Sequence, residues 1–126
     1  LKIGLSQDEL EARGWSLNVS QARAAIGGGG MLLIDLRDKG ERERHGEIPG
    51  SVHAPYTDLA RNLGPGGLLH ELVAASGKSL VFYCAFGERS AMAVQAARDA
   101  GLKNARHIRG GVDAWGKENG PLEIPA

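Results

Sequence analysis

The 126-residue chain is long enough to fold as one domain around a single hydrophobic core. Its 15 basic and 15 acidic side chains balance, which argues against strong attraction to nucleic acid or to an anionic membrane surface. Its apolar runs are far too short to cross a bilayer and it does not open on a signal segment, so we expect a soluble cytoplasmic domain. One cysteine cannot form an internal disulfide, and with four scattered histidines it predicts no metal site.

Two helices are predicted before the first long apolar segment. The first lies within residues 1–14, because Ser6 and Glu9 have the spacing of a capping box. The second covers Val19–Ile26, with Asn18 as its N-cap, and ends in the glycines of 27–30. Four glycines can cradle a phosphate, but here no Lys-Ser/Thr pair follows them and a strand comes next. We therefore interpret them as a turn from helix to strand.

The rest of the chain alternates between strands and helices. Strands are predicted at 31–36, 51–54, 80–83 and 105–108. Helices are predicted at 38–45, 56–62, 68–75, 88–100 and 112–119, with Met92 and Ala96 on one apolar stripe of the fourth. This alternation indicates an α/β fold with a central, mainly parallel sheet flanked by helices. Ligands of such sheets bind beyond the carboxyl ends of the strands, where Cys84 stands.

The loop Cys84-Ala85-Phe86-Gly87-Glu88-Arg89 joins the strongest strand to the next helix. Backbone N–H groups in such a loop and in the first helical turn have no partner within the helix, so they can bind an anion. The positive end of the helix also stabilises a thiolate, while Gly87 permits a tight turn and Arg89 adds a positive charge. These parts predict a nucleophilic thiolate inside an anion cradle. The alternative is an inert buried cysteine beside an ordinary turn.

The spacing of Cys84 and Arg89 bears on which anion is bound. Four residues separate them, whereas cysteine phosphatases have five between the same two residue types, which would place the arginine where Ser90 stands. A smaller ring suits one extra sulfur atom on the thiol better than a tetrahedral phosphate. Sulfur transfer is therefore favoured over dephosphorylation.

Four blocks of sequence resemble the rhodanese-like, single-domain sulfurtransferases. They are Leu33-Ile34-Asp35-Leu36-Arg37, Gly46-Glu47-Ile48-Pro49-Gly50-Ser51, Phe82 to Ser90, and Gly110-Gly111-Val112-Asp113-Ala114-Trp115. The resemblance implies a three-layer rhodanese-like domain at 18–122, with a helical N-terminal extension at 1–17 and a short tail at 123–126.

The resemblance also implies a two-step reaction without a cofactor. Cys84 takes the outer sulfur of a small-molecule donor, thiosulfate or a persulfide, and becomes a persulfide itself. A thiol, which can belong to a protein, or cyanide then removes that sulfur. The substrate would be bound by the loop residues Ala85, Phe86, Gly87, Glu88, Arg89 and Ser90.

Several side chains bear on which sulfur donor the loop would accept. Members specialised for thiosulfate place a basic residue beside the cysteine, where this chain has Ala85, and Glu88 opposes an anionic donor. A persulfide or a protein thiol therefore competes with thiosulfate, and an exposed Phe86 would contact it.

Other residues take supporting or structural roles. Asp35 is expected to hold Arg89 or cap a helix and Arg37 to face the pocket, unless the two pair with each other or with 38–44. Trp115 is expected in the core, and structural roles are expected of His53 and His107. Two other functions stay open, a non-catalytic binding or regulatory domain and a cysteine phosphatase or arsenate reductase.

Overall fold

The computed structural model describes residues 4–125, in which short helices alternate with strands. The helices are α1 (Gln7–Ala12), α2 (Val19–Gly27), α3 (Lys39–His45), α4 (Leu59–Leu63), α5 (Leu68–Ser76), α6 (Glu88–Asp99) and α7 (Gly111–Lys117). The strands are β1 (Ser16–Leu17), β2 (Met31–Asp35), β3 (Val52–His53), β4 (Ser79–Tyr83) and β5 (Arg106–Ile108). They form one sheet in the order β1-β5-β4-β2-β3, and each pair of neighbours is parallel. The predicted α/β fold with a parallel sheet is therefore confirmed. Within residues 4–125, none of these helices is long and apolar enough to span a bilayer.

Alternate residues of the central strand β4 enter two cores, one on each face of the sheet. Leu80 and Phe82 pack with α1, α4, α5 and α6, whereas Val81 and Tyr83 pack with α2 and α7. Trp115 of α7 is 2% exposed in the second core, which confirms its predicted place. Helices thus cover both faces, as expected for a parallel sheet whose strands are apolar throughout.

Capping boxes start α1 and α2 where the sequence predicts them. Ser6 Oγ accepts from Glu9 N at 3.2 Å, and the Glu9 carboxylate accepts from Ser6 N at 3.1 Å. Asn18 and Gln21 exchange the equivalent pair of bonds at 2.8 and 2.9 Å. Residues 1–3 of the first predicted helix lie outside the described part of the chain.

Three local features of the structure differ from the prediction. The helix expected at 56–62 is a 3-10 turn, Tyr56–Asp58, followed by α4, because Asp58 has a non-helical backbone (φ −100°, ψ 7°). Strand β1 was not predicted, since two residues carry no periodic pattern. The apolar stripe of α6 runs through Ala93, Val94 and Ala97, which are fully buried, while Met92 is 39% exposed. An alanine-rich helix offers little contrast between faces, so its sequence identifies the buried one poorly.

Both predicted extensions contact the predicted domain at 18–122. In the first, Leu10 of α1 is fully buried in the core and β1 pairs with β5 at the edge of the sheet. In the second, Glu123 forms an isolated antiparallel bridge with Glu47. Helix α1 lies close to the loop that follows β4, since Gln7 contacts Phe86 there.

Candidate active site

Cys84 follows β4 directly, at the carboxyl edge of the sheet and between β2 and β5. The cysteine is fully buried. Helix α6 begins four residues later, after Gly87, whose φ of 103° lies in the left-handed region that favours glycine. The predicted unit of strand, cysteine, tight loop and helix is therefore present.

Backbone N–H groups are directed at the cysteine sulfur. Gly87 N lies 3.1 Å from Cys84 Sγ and Ser90 N lies 3.4 Å from it. The Ser90 hydroxyl lies 3.7 Å from the same sulfur. Hydrogen-bond donors at the N-terminal end of a helix stabilise negative charge, so this arrangement suits a thiolate or a persulfide anion.

Ser90 connects the sulfur to a buried histidine of β5. Its hydroxyl lies 2.8 Å from His107 Nδ1 and 3.2 Å from the Gly87 carbonyl oxygen. Burial, with Arg109 nearby as a lesser cause, lowers the pKa of His107 to about 4. His107 is therefore neutral at pH 7, and its ring can accept the Ser90 proton while Ser90 accepts from the thiol.

The Arg89 side chain is bound to a carboxylate of another helix. Its guanidinium donates two hydrogen bonds of 2.8 Å each to the Glu41 carboxylate of α3. The bond to Arg89 lowers the pKa of Glu41 to about 2, and the same bond raises the pKa of Arg89 above its ordinary value. The positive charge beside the loop is thus neutralised by a carboxylate 48 positions away in the sequence.

A second cluster of polar side chains lies at the end of β2. The fully buried Asp35 carboxylate accepts hydrogen bonds from Arg37 at 2.9 Å, Arg42 at 3.1 Å and the Tyr83 hydroxyl at 2.9 Å. Burial, together with the charge of Asp35, raises the pKa of Tyr83 to about 12. The expectation that Asp35 holds Arg89 is wrong, because nearer cations occupy its carboxylate. Asp35 instead pairs with Arg37 and with the segment 38–44, the alternative left open above.

The second helical layer also holds the cysteine loop. Val112 N donates to the Cys84 carbonyl at 2.9 Å, and Asp113 N donates to the Ala85 carbonyl at 3.0 Å. A side chain at Gly111 would begin only 2.5 Å from the Cys84 oxygen, so this close approach requires glycine. The start of α7 therefore fixes the first two carbonyls of the loop.

A groove of about 550 Å³ lies beside Ala85 and Phe86. Its wall includes Arg37, whose Nη1 has no hydrogen-bond partner within residues 4–125. Phe86 is 58% exposed, as predicted, while Glu88 is exposed and lines a separate pocket with the start of α1. The remaining wall is formed by Glu41, Arg44, His45, Val112, Asp113, Gly116, Lys117 and Leu122. This groove therefore borders the cysteine loop at Ala85 and Phe86.

The profile of the rhodanese-like domain family matches residues 18–118. The chain belongs to the rhodanese-like domain family. This confirms the resemblance that the four sequence blocks indicate, and the family covers the cysteine loop, α3, β5 and the start of α7.

The rhodanese-like domain has relatives among larger proteins. It is 31% identical over 90 residues to the mouse thiosulfate sulfurtransferase/rhodanese-like domain-containing protein 3, covering 68% of this chain and 57% of that one. It is 44% identical over 90 residues to the Zea mays adenylyltransferase and sulfurtransferase MOCS3-2, covering 71% of this chain and 18% of that one. The chain thus spans only part of the length of these relatives.

Solved structures show the same fold. A Rhodopseudomonas palustris protein of unknown function, described as a possible tyrosine phosphatase, aligns with a TM-score of 0.80 and 34% identity, covering 98% of this chain and 99% of that one. The human single-domain sulfurtransferase TSTD1 aligns with a TM-score of 0.67 and 26% identity, covering 82% and 96%. The fold is therefore shared over 82% of this chain with the human sulfurtransferase structure and over 98% with the Rhodopseudomonas palustris structure.

Three residues near the loop of this rhodanese-like domain were not foreseen as part of the site. Glu41 belongs to a capping box on α3, and nothing in that pattern indicates a bond to Arg89. Gln7 of α1 contacts the loop from outside the matched family segment. His107 was expected to be structural, yet it lies one hydroxyl away from the cysteine; assigning β5 as the neighbour of β4 would have placed it there.

Proposed function

We propose that this rhodanese-like domain is a sulfurtransferase that carries sulfane sulfur as a Cys84 persulfide. The observation that carries the proposal is the pair of N–H donors from Gly87 and Ser90 at 3.1 and 3.4 Å from the sulfur. They are fixed before any substrate binds, so they can stabilise negative charge on sulfur in both half-reactions. The sulfur atom itself is nucleophile and carrier, and the scheme requires no cofactor.

The reaction proceeds in two displacements. In the first, the Cys84 thiolate attacks the outer sulfur of the donor, a new S–S bond forms, and the donor thiolate or sulfite leaves with the electron pair of the broken bond. In the second, an acceptor thiolate attacks the outer sulfur of the Cys84 persulfide. The acceptor becomes the persulfide and Cys84 is released as a thiolate, so electrons and atoms balance over the cycle.

A persulfide suits this site better than thiosulfate as the donor. Thiosulfate carries two negative charges, and the Arg89 charge that would attract it is already paired with Glu41. Ala85 adds no charge beside the cysteine, and Glu88 on the same loop is exposed and acidic. The groove beside Phe86 has room for a thiol-bearing molecule or for a side chain of a partner protein. We therefore assign a small-molecule or protein persulfide as donor and a thiol as acceptor.

Intact mass measurement tests the proposal. Wild-type protein incubated with glutathione persulfide is expected to gain one sulfur atom, and the same incubation with thiosulfate is expected to load it more slowly. Cys84→Ser is the control, and it is expected to gain none. An adduct that persists in Cys84→Ser would contradict the proposal. Absence of the adduct together with resistance of Cys84 to iodoacetamide at neutral pH would favour a non-catalytic binding domain.

A phosphatase activity is the second candidate, because the Rhodopseudomonas palustris structure is described as a possible tyrosine phosphatase. The present loop has one residue fewer between cysteine and arginine than a phosphatase loop, with Ser90 at the position of the arginine. In addition, Arg89 donates to Glu41 rather than into the loop. Measurable turnover of an aryl phosphate that depends on Cys84 would favour this candidate over sulfur transfer.

A further inference from the structure

Gln7, the first residue of α1, connects the cysteine loop to the loop before α7. Its side-chain Nε2 donates to the Phe86 carbonyl oxygen at 3.1 Å. Its Oε1 accepts from the backbone N–H of Gly110 at 2.9 Å. Gln7 lies before residue 18, where the match to the rhodanese-like family begins. Gln7 is therefore a residue from outside the family segment that contacts the candidate active site.

The two bonds of Gln7 fix which way its amide faces. The group of Gly110 that contacts the amide is its N–H, a donor, and that of Phe86 is its carbonyl oxygen, an acceptor, so the amide oxygen must face Gly110 and the nitrogen must face Phe86. Arg109 also forms ion pairs with the exposed Asp8 and Glu11, which add only a weak further attachment of α1. The two hydrogen bonds therefore specify one orientation of the Gln7 amide at the cysteine loop.

The bond to Phe86 also determines where Gly87 N–H points. The Phe86 carbonyl and the Gly87 N–H belong to one trans peptide group, so they point in opposite directions. Gln7 holds the carbonyl on the outer side at 3.1 Å, and the N–H of that same peptide points inward to Cys84 Sγ at 3.1 Å. The orientation of this one peptide plane decides whether the sulfur meets a donor or an acceptor.

Because residue 87 is glycine, the peptide between Phe86 and Gly87 can rotate unless other groups bind it. Gly87 has φ 103° and, without a Cβ, tolerates either orientation of the preceding peptide. A Cβ at Gly87 would begin 2.1 Å from Gln7 Oε1, so the amide also fills the space beside the glycine. The adjacent Phe86 side chain is 58% exposed and provides little anchoring.

We infer that Gln7 is a positioning residue that locks the 86–87 peptide with its N–H toward Cys84 and so stabilises the anionic sulfur. The inference rests on the proposed function for its role in sulfur transfer, whereas its effect on the thiolate can be measured without any sulfur donor. It makes α1 a part of the site. Loss of the lock allows the Phe86 carbonyl to turn toward the sulfur, where it would oppose the negative charge.

The test compares Gln7→Met and Gln7→Asn with Asp8→Asn in the full chain. Methionine keeps the length without the hydrogen bonds, and asparagine keeps the amide but is one methylene shorter. Asp8→Asn weakens the anchoring of the same helix through Arg109 and leaves both Gln7 bonds in place. Thermal unfolding of each variant checks that it is folded.

The readout is the rate of Cys84 alkylation by iodoacetamide as a function of pH. At pH 7, Gln7→Met and Gln7→Asn are expected to react about tenfold more slowly than wild type, the size expected from losing a hydrogen bond to a charged group. At strongly alkaline pH, where the thiol is ionised in every variant, the rates are expected to converge. A purely structural role would not produce that convergence. Asp8→Asn is expected to follow wild type throughout.

Either of two results would overturn the inference: wild-type rates at pH 7 in both Gln7 variants, or equal slowing in Asp8→Asn. The second result would attribute the effect to the anchoring of α1 rather than to the peptide lock. Persulfide loading from glutathione persulfide is expected to slow in parallel with alkylation. If wild type takes up no sulfur, the proposed function fails while the alkylation comparison still decides the role of Gln7.

Discussion

Two polar sites lie side by side at the carboxyl edge of the sheet, and they are built in opposite ways. At the end of β2, the Asp35 carboxylate is surrounded by two guanidinium groups and a tyrosine hydroxyl, all within 3.1 Å. At the end of the neighbouring strand β4, the Cys84 sulfur meets backbone N–H groups and one neutral hydroxyl. The charges of the first site balance one another. The neutral donors of the second site can stabilise a negative charge that forms on the Cys84 sulfur.

The difference separates a structural site from a candidate reactive one. The oxygens of a buried carboxylate with fixed cationic partners are already occupied, and removing one partner leaves an unpaired buried charge. A sulfur surrounded by neutral dipoles can change its charge without leaving a partner unpaired. Neutral His107, connected through Ser90, extends this uncharged surrounding into the next strand. The following variants test the contrast, from the largest expected effect to the smallest.

Asp35→Asn should destabilise the fold more than any of the other substitutions discussed here. The amide keeps the shape but removes the charge that balances Arg37 and Arg42, so we expect the free energy of unfolding to fall by about 3–5 kcal/mol in urea denaturation. Asp58→Asn is the matched control, because Asp58 pairs with Arg61 at 3.0 Å on the surface. That control should cost less than about 1 kcal/mol. Similar losses in the two variants would contradict the contrast.

His107→Asn should change how stability depends on pH. The folded pKa of about 4 lies below the ordinary value of 6.5, so between these two values the unfolded chain binds a proton that the folded chain does not. Wild type should therefore lose about 3 kcal/mol of stability between pH 6.5 and pH 4 that the variant does not lose. Urea denaturation at pH 8, 6 and 4 measures the difference. Parallel profiles for the two proteins would show that His107 is charged in the folded state.

Glu41→Gln should change the choice of sulfur donor by a small factor. The amide cannot neutralise Arg89, whose charge then becomes available to an anionic donor. We expect the rate of persulfide formation from thiosulfate, whose sulfonate charge lies next to the transferred sulfur, to rise about threefold relative to that from glutathione persulfide, whose carboxylates are remote from it. The factor is small because a partly exposed charge is screened. Glu43→Gln, in an exposed pair with Lys39 on the same helix, is the control. A donor ratio that shifts equally in both variants would point to net charge rather than to Arg89.

The sequence predicted the unit of strand, cysteine, loop and helix because that unit is local. A run of apolar residues, one cysteine, a glycine and a helix start all fall within Leu80 to Ser90, and the structure places them in that order. Capping boxes at Ser6 and Asn18 are equally local and were also predicted. Such patterns depend on contacts between residues a few positions apart, and sequence reasoning can evaluate these directly.

The partners of the loop could not be predicted in the same way. Gln7 is separated from Phe86 by 79 positions and Glu41 from Arg89 by 48, so both contacts depend on how the helices pack against the sheet. A surface glutamine or glutamate has no signal in one sequence that distinguishes such a contact from solvation. For the same reason the sequence left two kinds of partner open for Asp35, either Arg89 or Arg37 and the segment 38–44. Its position at a strand end is local information, but the choice of partner is made by tertiary packing.

The central position of β4 has a kinetic consequence. Cys84 is fully buried and follows a strand with neighbours on both sides, so one fixed sulfur atom has to serve both half-reactions. Under the proposed function, donor and acceptor must occupy the same groove in turn. Each would then act as a competitive inhibitor of the half-reaction that uses the other. Steady-state rates should pass through a maximum as either substrate is raised, at a concentration that increases with the concentration of its counterpart.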